Sequence, residues 1–317
     1  MSVQVATRPQ PLLTEAMLTR SEQTAMVRAA VDWVISLGRD VRRTRFGRYL
    51  AELERYTRRI ETGQPPENTA LFFAAAADSY VLVQAYHQLR GRFDRYVVER
   101  IERASKGTDT VLDETDLNNA GRNFCFELSL ACWLVSFGLD LSCGDPADIA
   151  GTIADHYLIV QCKRVRSTQQ VEKRGRHAAA RLSERLARPD RPNMVGVVAF
   201  DFTPIVNPTG AVLRLPNLSS PQLFDIGKGE TMAFASKYAR HWRAWNHPDI
   251  VAVFNRVLLS GSDTQPDATL RHLVFQSMHR LADERSRHSP FMNKFAQLAA
   301  DLGSAVLRAD REHRIRL

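Results

Sequence analysis

Six short strand-like runs, 139–142, 148–153, 157–165, 195–200, 250–259 and 273–278, are interleaved with stretches of helical spacing. Strands and helices that alternate along a chain point to an α/β layered domain. The third run constrains the chain most. It is apolar from Tyr157 to Val160 and then changes character at Gln161-Cys162-Lys163. A strand sends alternate side chains to opposite faces, so Gln161 and Lys163 project one way and Val160 and Cys162 the other. A glutamine and a lysine at the end of an apolar strand pack a core poorly. Together they suit a site that holds a divalent cation and a phosphate.

Two acids precede this pair. Glu127 lies on a helical stretch that runs from about 116 or 118 to 137, with Gly138 as its stop. Asp148 opens the 148–153 strand, which forms a hairpin with 157–165 through a turn at Ala154-Asp155-His156. Phosphodiester hydrolysis needs a metal that polarises the phosphoryl oxygen, acidifies an attacking water and offsets charge on the leaving oxygen. Mg²⁺ prefers hard oxygen ligands, often one or two carboxylates with water and phosphate. Asp148 is the candidate direct ligand. Gln161 could add its side-chain carbonyl and Cys162 its backbone carbonyl, with Glu127 completing the shell directly or through water. Lys163 could hold the attacking water or steady the developing negative charge.

The residues Phe124-Cys125-Phe126-Glu127, Gly138-Leu139, Asp148 and Gln161-Cys162-Lys163-Arg164 resemble, in order and spacing, the PD-(D/E)XK nuclease superfamily. Gln161 stands where most members carry an acid, as in the Mrr-like restriction endonuclease branch. Pro146 is separated from Asp148 by Ala147. The resemblance covers roughly 116–200. It implies a restriction-endonuclease-like mixed sheet flanked by helices over 106–317 and a Mg²⁺-dependent nuclease acting on DNA, with Mn²⁺ as a substitute ion. It also implies a role in restriction or antiviral defence.

Charge supports a nucleic-acid partner. The formal net charge is +8, and residues 163–191 hold ten Lys or Arg against three acids. A basic helix over about 171–186 beside a metal site attracts a polyanion. Its nucleic-acid-binding candidates are Arg164, Arg166, Gln170, Lys173, Arg174, Arg176 and Arg181. His156 and His177 are read as exposed, and Trp242 and Trp245 as part of a core. The acids at 113–116 are read as a helix N-terminal cap.

The first hundred residues read as wholly helical, with helices over 24–37, 46–60 and 69–103, the last interrupted near Gly91. The break at 105–109 marks a boundary between a helical domain (1–105) and the α/β domain. A further helix is expected over 231–245 and a terminal one over 290–302. No apolar run reaches the about twenty residues that span a bilayer, and 70–83 is broken by Asp78. Residues 1–8 lack the basic start and apolar core of a secretory signal. Cys125, Cys132, Cys143 and Cys162 form no Cys-x-x-Cys pair, which argues against zinc and for reduced thiols in a cytoplasmic protein. The N-terminal helices could support a homodimer or a partner protein. Two rivals to the nuclease reading are a catalytically silent DNA-binding or scaffolding protein on the same fold, and a helical interaction protein whose α/β half dimerises.

Overall fold

A computed structural model describes residues 12–16, 20–64, 69–91, 95–115, 118–142, 145–187, 191, 193–216, 218–245, 247–262, 271–282 and 286–297. The chain is mixed α/β. In order, its elements are β1 (Leu12–Ala16), α1 (Arg20–Ser36), α2 (Arg45–Glu61), α3 (Thr69–Leu89), α4 (Arg95–Ala104) and α5 (Ala120–Ser136). Then come β2 (Asp140–Leu141), β3 (Ile149–Ile153), β4 (His156–Arg164), α6 (Thr168–Leu186), β5 (Met194–Asp201), α7 (Thr203–Val206) and β6 (Leu213–Arg214). Last are α8 (Ser220–Arg243), β7 (Ile250–Ser262), β8 (Arg271–Arg280) and a helix α9 over 289–297.

Among the described residues, the strands form one open eight-stranded sheet in the order β1-β8-β7-β5-β4-β3-β2, with β6 pairing beside β7. Its centre, β4-β5-β7, is parallel, and both flanks are antiparallel. Every residue of β5 is buried. A strand covered on both faces has no solvent side, so its first seven residues, Met-Val-Gly-Val-Val-Ala-Phe, are apolar without alternation, and only Asp201 at its end is charged. Parallel β4 and β5 need a long crossover, which α6 supplies.

The two sheet faces build two cores. Ile159, Val198, Phe200 and Val253 pack under α6 and α8 with Val171, Leu182, Phe234 and Trp242. Leu158, Val160, Cys162, Val197 and Phe254 pack under α5 and α9 with Phe126, Leu130, Phe291 and Phe295. Gly175 lets α6 sit close to its neighbours: a Cβ there would come within 2.9 Å of the Trp245 ring and 3.1 Å of the Phe200 ring.

The hairpin falls where expected. Ala154 and Asp155 take φ of 48° and 65°, the left-handed pair that suits a two-residue turn between twisted strands. Gly138, at φ 90°, ends α5 as expected. Cys125, Cys132 and Cys162 are buried and unbridged, while Cys143 lies outside the described residues. No helix among the described residues is long and apolar enough to cross a membrane.

Four expectations are revised. The first hundred residues are not wholly helical, because β1 pairs antiparallel with β8 at the far edge of the sheet. The break at 105–109 does not separate two cores, since Val97 and Ile101 of α4 pack in the same cluster as Cys125, Leu128 and Cys132 of α5. The acids at 113–116 do not cap α5: Glu114 is buried against Arg164, and Asp116 is outside the described residues. Finally, α8 begins eleven residues before the expected 231, at a Ser219/Gln222 capping box followed by Pro221. The expected end of the terminal helix, beyond 297, also lies outside the described residues.

Candidate active site

The hairpin register creates the site. Ile149 pairs with Val160, so Asp148, one residue earlier, stands opposite Gln161 just beyond the end of the β3 ladder. From Gln161 to Arg164, β4 pairs only with β5. Its other edge is therefore open where the apolar run ends. The N–H and C=O of one strand residue point to the same edge, and Cys162 turns both toward this opening. Its N–H donates to Asp148 Oδ2 at 2.7 Å. Its carbonyl oxygen accepts from Lys163 Nζ at 2.9 Å.

Lys163 Nζ also lies 3.4 Å from Gln161 Oε1 and 3.7 Å from Asp148 Oδ2. A carboxylate oxygen, a side-chain carbonyl and a backbone carbonyl thus surround a single cation. Cys162 is buried at 8% exposure with its thiol among the apolar residues under α5, whereas Lys163 is half-buried and lines a cleft. Gln161 is buried at 4%, behind the ammonium.

The cleft, of about 320 Å³, is lined by Glu127, Asp148, Cys162, Lys163, Arg174 and His177, together with Asn123, Phe126 and Arg164. Glu127 comes from the inward face of α5. Burial pushes its carboxyl up to about 8, against the pull of the Arg100 guanidinium and with Asp148 adding to the rise. Arg100 of α4 forms an ion pair with Glu127 and donates to the Asp148 carbonyl at 3.2 Å. One side chain from the N-terminal helices therefore ties the two acids together. Sequence reasoning passed over Arg100, as it did Asn123. Neither carries a local signal, because the Arg100 contact spans 27 residues and exists only once α4 lies on α5.

The basic candidates divide. Arg164 is 6% exposed and bonded to Glu114, with Asp201 3.6 Å away. Arg166 is half-buried, its Nη2 donating to the Glu114 carbonyl at 2.7 Å, and Gln170 accepts from the Arg166 N–H at 3.3 Å. Arg174 reaches the cleft and donates to the Arg164 carbonyl at 3.0 Å. Arg176 turns to a separate groove with Glu172, His241 and Trp245. Lys173, His177 and Arg181 are exposed at four-residue spacing, so they form one stripe along α6 whose middle residue, His177, lines the cleft. His156 is half-buried and stacks on Phe291, and Trp242 is buried in the α8 core.

The donor set fits a hard divalent cation, being all oxygen and already gathered around an ammonium. Among the described residues no three His, Cys, Asp or Glu side chains converge, so the set relies on carbonyl oxygens beside its acids. Comparison with protein-family models, with curated proteins and with solved structures gave no match.

Proposed function

We propose that the chain is a metal-dependent nuclease that hydrolyses phosphodiester bonds of DNA in the cytoplasm. Its fold would be restriction-endonuclease-like, of the Mrr-like PD-(D/E)XK type. The observation that carries this reading is the convergence of Asp148 Oδ2, Gln161 Oε1 and the Cys162 carbonyl on the Lys163 ammonium. Those three oxygens would hold Mg²⁺ or Mn²⁺, with Glu127 beside them. An ion held there would supply Lewis acidity toward the phosphoryl oxygen and lower the pKa of water.

The chain's own residues do the remainder. Lys163 orients the attacking water or offsets charge developing on the phosphate, in a cleft partly withdrawn from solvent. Arg100 positions Glu127 and the Asp148 backbone. Lys173 and Arg181, with His177 between them, lie where a phosphate backbone leaving the cleft would run along α6. A role in restriction or antiviral defence extends this reading from the resemblance.

One observation favours the silent, DNA-binding alternative: Glu127 is occupied by Arg100, which leaves Asp148 as the acid among the three converging oxygens. Plasmid cleavage with Mg²⁺ or Mn²⁺ separates the two. Wild type should cut, while Asp148→Ala and Lys163→Ala should lose cutting, keep their circular dichroism and still retard DNA in gels. Wild-type cleavage rates in either variant would sink the assignment, and an inactive wild type that binds DNA would leave the silent reading.

A further inference from the structure

A second cavity, of about 350 Å³, lies on the α5 side of the sheet, against α3 and the 203–212 segment. It opens at the carboxyl ends of the parallel strands, where open α/β sheets place ligands. There the register sets three charged residues in a row: Arg164 of β4 pairs with Asp201 of β5, and Asp201 with Arg256 of β7. All three are buried, at 6%, 5% and 4% exposure.

These charges are unevenly satisfied. Arg164 is held by Glu114 and lies 3.6 Å from Asp201. Asp201 also accepts from the Thr203 N–H at 3.0 Å. Arg256 lies 4.0 Å from Asp201 and 5.4 Å above the Phe126 ring, and its Nε has no hydrogen-bond partner among the described residues. On the opposite wall Arg122 is saturated by Asp78, Tyr49, Thr108 and two carbonyls. The cavity is lined by three buried guanidinium groups (Arg122, Arg164, Arg256) and two carboxylates (Asp78, Asp201). Asp78 holds Arg122, and Glu114, outside the lining, holds Arg164, which leaves Arg256 the more distant Asp201. Arg256 is therefore the least closely paired of the three, and a buried charge so loosely compensated is expensive. The rest of the wall is apolar, from Ala77, Val81, Val111, Pro204 and Leu258, with exposed Leu112 at the rim.

The geometry points to a binding site for a small organic monoanion: a carboxylate, sulfonate or phosphate ester on Arg256, with an apolar body against Ala77, Val81 and Val111. The volume is at the low end for ligand sites, which sets the ligand at about mononucleotide size. The site is separate from the metal cleft, although Arg164 and Phe126 border both.

The test uses the full chain with two probes, 1-anilinonaphthalene-8-sulfonate and its uncharged parent N-phenyl-1-naphthylamine, titrated by fluorescence and calorimetry. Wild type should bind the sulfonate at one site. Charge-assisted hydrogen bonds make Arg256→Met cost the sulfonate about tenfold or more in affinity, with the neutral parent little changed. Ala77→Phe fills the cavity and should weaken both probes. If Arg256→Met does not fold, Ala77→Phe carries the test alone. Absence of sulfonate binding to wild type, equal weakening of both probes by Arg256→Met, or full binding by folded Ala77→Phe would overturn the site.

Discussion

Arg100→Ala should destabilise the protein more at pH 9 than at pH 5, by about 1 kcal/mol. The Glu127 carboxyl is pushed by burial up to about 8 from 4.5, so the folded state holds its proton over a range where the unfolded chain has released it. Stability from this group is therefore full below about 4.5 and is lost as pH rises through about 8. At pH 5 Glu127 is protonated in the folded state of both proteins. The substitution then removes ordinary hydrogen bonds to Glu127 and to the Asp148 carbonyl, about 1–2 kcal/mol together. At pH 9 the wild-type carboxylate is ionised and paired, with side chains only 15% (Arg100) and 10% (Glu127) exposed. Without the arginine the buried carboxyl is pushed up further and keeps its proton, so the extra penalty at pH 9 is capped at about 1.4 kcal/mol, the value of one pH unit above 8. Urea melts of metal-free protein at the two pH values, analysed at constant m, give the difference directly. Arg100→Ala with Glu127→Gln should remove the pH-dependent part of the loss, because the side chain at 127 then no longer titrates. Equal penalties at pH 5 and pH 9, or a pH-dependent loss that persists in the double variant, would refute the claim that Arg100 holds an ionised Glu127.

Two further outcomes follow from the packing and the charge of α6. Gly175→Ala places a Cβ 2.9 Å from the Trp245 ring and 3.1 Å from Phe200, an overpacking that costs about 1–3 kcal/mol. Calorimetry should show a lower Tm and the emission of Trp245 should shift, and an unchanged Tm would mean that α6 does not press on these rings. Lys173→Gln with Arg181→Gln should flatten the log–log salt dependence of duplex DNA binding by about 1–2 units, since each lost phosphate contact contributes about 0.9. The loss should be similar across DNA sequences. An unaltered slope would return the stripe to the role of a solvated helix face.

What could be read in the sequence was the part of the site made by one local hairpin. Asp148, Gln161, Cys162 and Lys163 lie within sixteen residues, and the period-2 alternation of β4 with a two-residue turn places them together without knowledge of distant contacts. The chain before residue 105 was harder, because a helical pattern says which face is apolar but not what that face meets. The Leu12–Ala16 strand gives the clearest case. Its identity as a strand comes from pairing with β8, some 260 residues away, and five residues alone carry no such preference. Glu114 misled for a related reason: an acid just before a helix suits a cap, yet the buried guanidinium of Arg164 offered it a stronger partner.

The same separation between local and distant information runs through the cleft itself. Lys163 and Asp148 are aimed by strand geometry, so their placement follows from register. Glu127 is aimed by α5, and its charge state is governed by Arg100, on a helix that packs only after the N-terminal segment folds against α5. The N-terminal helices are thus part of the site's electrostatics as well as of its core. Removing them would expose Cys125, Leu128 and Cys132 on α5 and would leave Glu127 without its cation. A truncated chain starting at 106 should accordingly fail as a stable unit, even though the β4 hairpin and its four converging groups lie wholly within it.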